Sequence, residues 1–181
     1  MKAKKIISIL LTALLALTML TPGVLADTQL TFTIGTVSAK TGTEVVVPLS
    51  LTADSINAFG CIITYDTSLL TFVSVENGAG VPFKDTDATV DTATAGTIDV
   101  GVIADGMTFN NIPAFNFKFK AADSITGTAQ DAEIKVAYKD EASLDAEYTG
   151  IPEADQVFVN GKVAIKTTHT APVVAVNVDG E

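Results

Sequence analysis

Residues 57–78, NAFGCIITYDTSLLTFVSVENG, decide how this 181-residue chain is read. Over positions 58–65 the side chains alternate. Phe59, Cys61, Ile63 and Tyr65 share one face, and Ala58, Gly60, Ile62 and Thr64 share the other. A period of two marks a strand with one face turned to a core. A polar corner at Asp66-Thr67-Ser68 follows, and a second strand runs through Phe72-Val73-Ser74-Val75. The second face of the first strand is small, partly apolar and uncharged, which suits contact with another protein.

The same pattern recurs on both sides of this stretch. Leu30, Phe32 and Ile34 alternate with Thr31 and Thr33. After a turn at 40–43, Val45, Val47, Leu49 and Leu51 alternate with Glu44, Val46, Pro48 and Ser50. Proline cannot donate to a strand ladder, so this strand is expected at an edge or beside a bulge. Residues 89–94 are thin and polar, an edge strand or a loop, and 98–103 read as a strand. Phe115, Phe117 and Phe119 alternate with Asn116, Lys118 and Lys120, and Ile134, Val136 and Tyr138 repeat the pattern. Val157 and Val159, then Val163 and Ile165, flank Asn160-Gly161. No stretch after position 26 carries a helical period of 3.6. Eight or nine short strands at this spacing predict an all-β chain, an antiparallel β-sandwich or barrel rather than βαβ units.

Residues 1–26 read as a secretory signal peptide. Lys2, Lys4 and Lys5 precede an apolar run at 6–20, then Thr21-Pro22-Gly23 and the small-residue cleavage site Val24-Leu25-Ala26. The run is shorter than the roughly 20 residues that span a bilayer, and no second apolar span follows. The expected mature domain is 27–166, with a linker-like tail at 167–181. From Asp27 onward there are eight Lys, no Arg and 21 Asp plus Glu, a net charge of −13. Nucleic acid and anionic lipid need clustered cations, so neither is an expected partner. Strong acidity suits a soluble extracellular bacterial protein.

Catalytic chemistry finds little to work with. The single histidine, His169, lies in the tail, where nothing holds it against a nucleophile. Zinc-ligand spacing is absent. Asp85, Asp87 and Asp91 share a polar segment but lack the calcium-loop pattern. A lone cysteine excludes an internal disulfide. Cys61 shares a strand face with Phe59 and Ile63 and is expected to be a buried small hydrophobe. The reading is therefore no catalytic residue, no metal site and no cofactor.

The ordered pieces resemble a cohesin, the module by which scaffolding proteins of cellulosomes bind dockerins. They are the strand–turn–strand at 36–49, which includes Gly42 and Pro48, the Tyr65-Asp66 corner with Leu69, Leu70 and Val73, the segments 98–105 and 115–120, and a closing strand around Asn160-Gly161-Lys162-Val163. The resemblance covers positions 30–166. It implies a nine-strand jelly-roll sandwich with a flat sheet that meets a helical dockerin, whose calcium belongs to the dockerin and not to this chain. The partner would be a dockerin-bearing protein, either a polysaccharide-degrading enzyme or a second scaffold. The family often carries an Asn and an Asp just upstream of the Tyr-Asp corner, and those places fall on Ala58 and Gly60. The implied partner-binding residues are Ala58, Gly60, Ile62, Thr64, Val100 and Val102.

The alternative is a carbohydrate-binding module acting directly on polysaccharide, since related jelly rolls share the Tyr-Asp corner. Such platforms stack sugars on exposed aromatic rings. This chain has no Trp and three Tyr. Tyr65 and Tyr138 fall in core phase, which leaves Tyr148, with Phe158 a second candidate for the outside. A wall or pilus subunit, recognised by self-assembly, is a third option.

Overall fold

The computed structural model describes residues 29–79, 81, 83–84, 87–140 and 142–167. The expected signal peptide at 1–26 lies outside the described residues, as does the tail beyond Thr167. The elements are β1 (Leu30–Ile34), β2 (Thr36–Lys40), β3 (Glu44–Tyr65), β4 (Leu70–Asn77), β5 (Ala88–Asp91), β6 (Thr97–Ala121), β7 (Ala129–Tyr138), β8 (Gln156–Val159) and β9 (Gly161–Lys166). The described residues hold no α-helix, and no helix among them is long and apolar enough to cross a membrane. The chain is all-β, as the alternation predicts.

Two strands are much longer than expected, because β3 and β6 each serve both halves of the sandwich. The N-terminal half of β3 pairs with β1 and with the C-terminal half of β6, which also carries β4. The C-terminal half of β3 pairs with β7 and with the N-terminal half of β6, which also carries β5. The turnover from one half to the other is marked in both strands. The β3–β6 register shifts between Ala53 and Ala58. Ser55, Asp105 and Gly106 take positive φ there, and Asn111 does so at the neighbouring shift between Leu51 and Thr52, a left-handed conformation costly for residues other than glycine.

Pro48 is not at an edge. It lies opposite Asn116, its carbonyl accepts from Gly35 N–H, and the adjoining register shift falls between Leu49 and Ser50. The bulge alternative is the one realised. Among the described residues β5 is an edge strand that pairs with β6 alone.

The first and last strands run parallel, β1 with β8 and β2 with β9, and both are broken at the same level, at Gly35 and Asn160. Asn160-Gly161 is therefore a crossing, not a hairpin turn. β9 passes on to β7 and closes that side. Asn160 Oδ1 accepts from Val136 N–H at 3.0 Å. A side chain on Gly161 would run into the Gly35 carbonyl and Ile34, so only glycine lets the two broken strands cross.

The inward faces bury Phe32, Phe59, Phe83, Phe109, Phe115, Phe117 and Phe119 with the alternating aliphatics. Phe59 makes edge contacts with Phe32, Phe83 and Phe109 at 5.6–6.3 Å. Each such ring contributes about 1.5–3 kcal/mol by leaving water. Phe158 is not outward: its ring stacks on Phe32 at 5.4 Å.

Candidate functional site

The outward face of the β7–β3–β6–β5 half collects most of the residues expected to meet a partner. Hydrogen-bond register fixes its rows. Ala137, Ile62, Asp99 and Asp91 form one row, and Lys135, Thr64 and Thr97 the next. Gly60, Gly101 and Thr89 form a third, and Ala58 and Ile103 a fourth. Ala58, Gly60, Ile62 and Thr64 thus share one face of β3, as the alternation requires.

Val100 and Val102 do not belong to it. They are 0% and 4% exposed, core residues of β6. Register is the cause: Val100 lies opposite Cys61 and Val102 opposite Phe59, on the inward side. Side chains alternate, so a one-residue difference in phase reverses the face. The outward residues of this strand are Thr97, Asp99, Gly101 and Ile103. Ile103 is 67% exposed and is the apolar residue that the sequence reading missed. Its signal was available: a charged Asp99 between Ile98 and Val100 already places 98, 100 and 102 inward.

The four β3 residues are not equally open. After Tyr138 the chain swings out and returns to β3 at Leu144, which forms a bridge with Ala58 and exchanges hydrogen bonds with it. Ser143 is buried, and its Oγ accepts from Gly60 N–H at 3.3 Å. A methyl group on Gly60 would sit 2.5 Å from the Ala142 Cβ and 3.3 Å from Lys139 Cδ. Gly60 is therefore buried by Lys139, Ala142 and Ser143 of the same chain, and Ala58 is half-covered. Ile62, half-buried, and Thr64, exposed, remain accessible.

Lys139 spans this covered zone. Its stem passes over Gly60 and its ammonium lies 3.7 Å from where a Gly101 side chain would begin. The ammonium ion-pairs with Asp99. Facing glycines on β3 and β6 leave the trough the stem needs, and a long cationic chain buries methylenes while its head stays wet. Asp91, next to Asp99 across the β5–β6 ladder, adds a second carboxylate.

Beneath this face the Cys61 thiol is fully buried. Burial, then the neighbouring Asp99 charge, raises its pKa from the usual 9.0 to about 12, against the opposing pull of Lys139. It stays a neutral thiol, the inert hydrophobe expected. At the corner, Asp66 Oδ1 accepts from the Ser68 hydroxyl at 2.6 Å and the Ser68 N–H at 2.8 Å. These bonds hold its carboxyl below the ordinary range.

Of the tyrosines, Tyr65 packs edge-on to Phe119 at 5.1 Å, and Tyr148 is 67% exposed. No aromatic strip forms among the described residues. Nor do they hold a group of three His, Cys, Asp or Glu side chains able to hold a metal ion; Asp85 lies outside them.

The fold matches solved structures across almost their whole length. A chain of the Coh-OlpC–Doc435 complex, a type I cohesin–dockerin complex from Clostridium thermocellum, superposes with a TM-score of 0.68 at 18% identity, covering 79% of this chain and 97% of that one. CaCohA2 from Clostridium acetobutylicum gives 0.60 at 24% identity, covering 80% and 94%. A non-cellulosomal cohesin from the archaeon Archaeoglobus fulgidus gives 0.56 at 18% identity, covering 76% and 91%. These likenesses carry the fold, the expected jelly-roll sandwich. No curated protein sequence matches. The Cohesin domain family itself matches residues 30–179, so the chain belongs to the cohesin domain family.

Proposed function

We propose that this cohesin is a non-catalytic docking module that binds a dockerin on the outward face of β7, β3, β6 and β5. The observation that carries the reading is family membership over nearly the whole domain. The accessible residues are Ile62, Thr64, Thr97 and Ile103, with Asp91 and Asp99 beside them. Burial of Ile62 and Ile103 supplies the hydrophobic contribution, at about 25 cal/mol per Å². The two carboxylates favour a partner with cations around an apolar centre. Ala58 and Gly60 stand behind the chain's own loop and contribute shape rather than contact. Val100 and Val102 support the face from below.

The dockerin brings its own calcium, and the assembly gathers polysaccharide-degrading enzymes or a second scaffold outside the cell. The secreted chain begins at Asp27, and its intact mass in culture medium tests the cleavage. Titration of the purified domain with a panel of dockerins tests docking. Heat is expected with calcium present and none after chelation. If no dockerin gives a signal while insoluble cellulose, xylan or starch retains the domain, direct polysaccharide binding replaces this reading.

A further inference from the structure

Residues 144–150 form a small hairpin held by a dense set of hydrogen bonds. Leu144 and Gly150 pair across it, and Asp145 N–H donates to the Thr149 carbonyl at 3.0 Å. Asp145 Oδ1 accepts from Glu147 N–H at 3.0 Å and Thr149 N–H at 2.8 Å. Tyr148 N–H closes the turn on the Asp145 carbonyl at 3.2 Å. The whole turn is tied to β3 from below. Asn57, 6% exposed, donates from Nδ2 to the Asp145 and Ala146 carbonyls at 2.8 and 2.9 Å. At the tip stands Tyr148, held at φ 59°.

Two features of that tyrosine call for an explanation. Positive φ is disfavoured for a bulky residue, and glycine or asparagine would fill the position at less cost. The ring is also 67% exposed, in a chain with no Trp and three Tyr. Backbone strain at Tyr148 and the buried Asn57 amide hold the turn that displays this aromatic ring. Rigid aromatic groups make strong interface anchors because little entropy is lost when they are buried.

Position supplies the rest. Leu144 joins β3 at Ala58, and Ala58 lies opposite Ile103 on β6. The hairpin is thus continuous with the row that ends in Ile103, and Tyr148 and Ile103 are the two most exposed large apolar residues described. We infer that Tyr148 is an anchor of the docking surface that the dockerin buries together with Ile103, and that Asn57 is the positioning residue that sets the hairpin against the sheet. This rests on the docking reading above.

The experiment titrates calcium-loaded dockerins into the parent and into Tyr148→Ala, Tyr148→Phe, Tyr148→Gly and Ile62→Asp. Tyr148→Ala and Tyr148→Gly are expected to weaken binding about tenfold or more, the size of an anchor loss. Tyr148→Phe, which keeps the ring, stays within about threefold. Tyr148→Gly relieves the backbone, so its Tm is equal to or above the parent's. A loss of affinity with an undiminished Tm is a result that a purely structural tyrosine does not give. If Ile62→Asp weakens binding and Tyr148→Ala does not, the anchor is refuted while docking stands. If no dockerin binds the parent, both fail. If Tyr148→Ala instead abolishes retention on insoluble cellulose, xylan or starch, the ring is a sugar platform and the anchor is overturned.

Discussion

Cys61 shows how a single residue reports on the whole interior. Its thiol is shielded on the inward side of β3 and holds its proton up to about pH 12. In the unfolded chain the same thiol ionises near 9.0. Between these values the unfolded state has lost a proton that the folded state keeps, so rising pH favours unfolding. Stability is expected to fall from pH 9 towards 12, read as the urea midpoint, and Cys61→Ala is expected to flatten that slope. A thiol reagent at pH 8 is expected to modify Cys61 only after denaturation, and rapid labelling of the native protein would contradict its burial. This residue was legible in the sequence because Phe59 and Ile63 flank it in phase. Val100 and Val102 are equally legible: the alternation Ile98, Val100, Val102 against Asp99, Gly101, Ile103 places the valines inward, against what the cohesin resemblance implies for them. Phe158 is only a candidate for the outside in the sequence, for another reason. A four-residue strand offers too few residues to set a phase, and only its partner Phe32 decides which way the ring faces.

At the scale of elements, periodicity located nearly every strand but not how far each one continued. β3 and β6 run 22 and 25 residues, where the sequence reads as pairs of shorter strands. The missing information lies in the bends at Ser55, Asp105, Gly106 and Asn111, which turn the chain without leaving the ladder. The cover over Gly60 was also illegible, because it depends on how Lys139, Ala142 and Ser143 lie over a strand some 80 positions earlier. That cover predicts a specific sensitivity. Gly60→Val meets Ala142 on one side and the Val100 carbonyl, 3.0 Å from the new Cβ, on the other. It is expected to cost about 1–3 kcal/mol, the usual range for overpacking, and to speed amide exchange at Leu144, whose N–H donates to Ala58. An unchanged urea midpoint with undisturbed protection at Leu144 would show that the segment does not rest on Gly60. The Lys139–Asp99 pair contributes little to this. Both groups are partly in water, and such pairs are worth at most about 1 kcal/mol.

For the molecule as a whole, the proposed partner is assigned to one outward face of the sandwich, that of β7, β3, β6 and β5, and not to the other. The opposite half also exposes apolar side chains, Val157 on β8 and Val46 on β3, and these serve as controls. The direct test is calorimetric titration of a calcium-loaded dockerin into the parent, Ile62→Asp, Ile103→Asp and Val157→Asp, each first shown to share the parent's thermal transition. The account predicts that Ile62→Asp and Ile103→Asp each weaken binding about tenfold or more, the loss expected when a charge replaces a buried anchor, while Val157→Asp binds as the parent does. Equal affinity across all four proteins, or a loss confined to Val157→Asp, would contradict it.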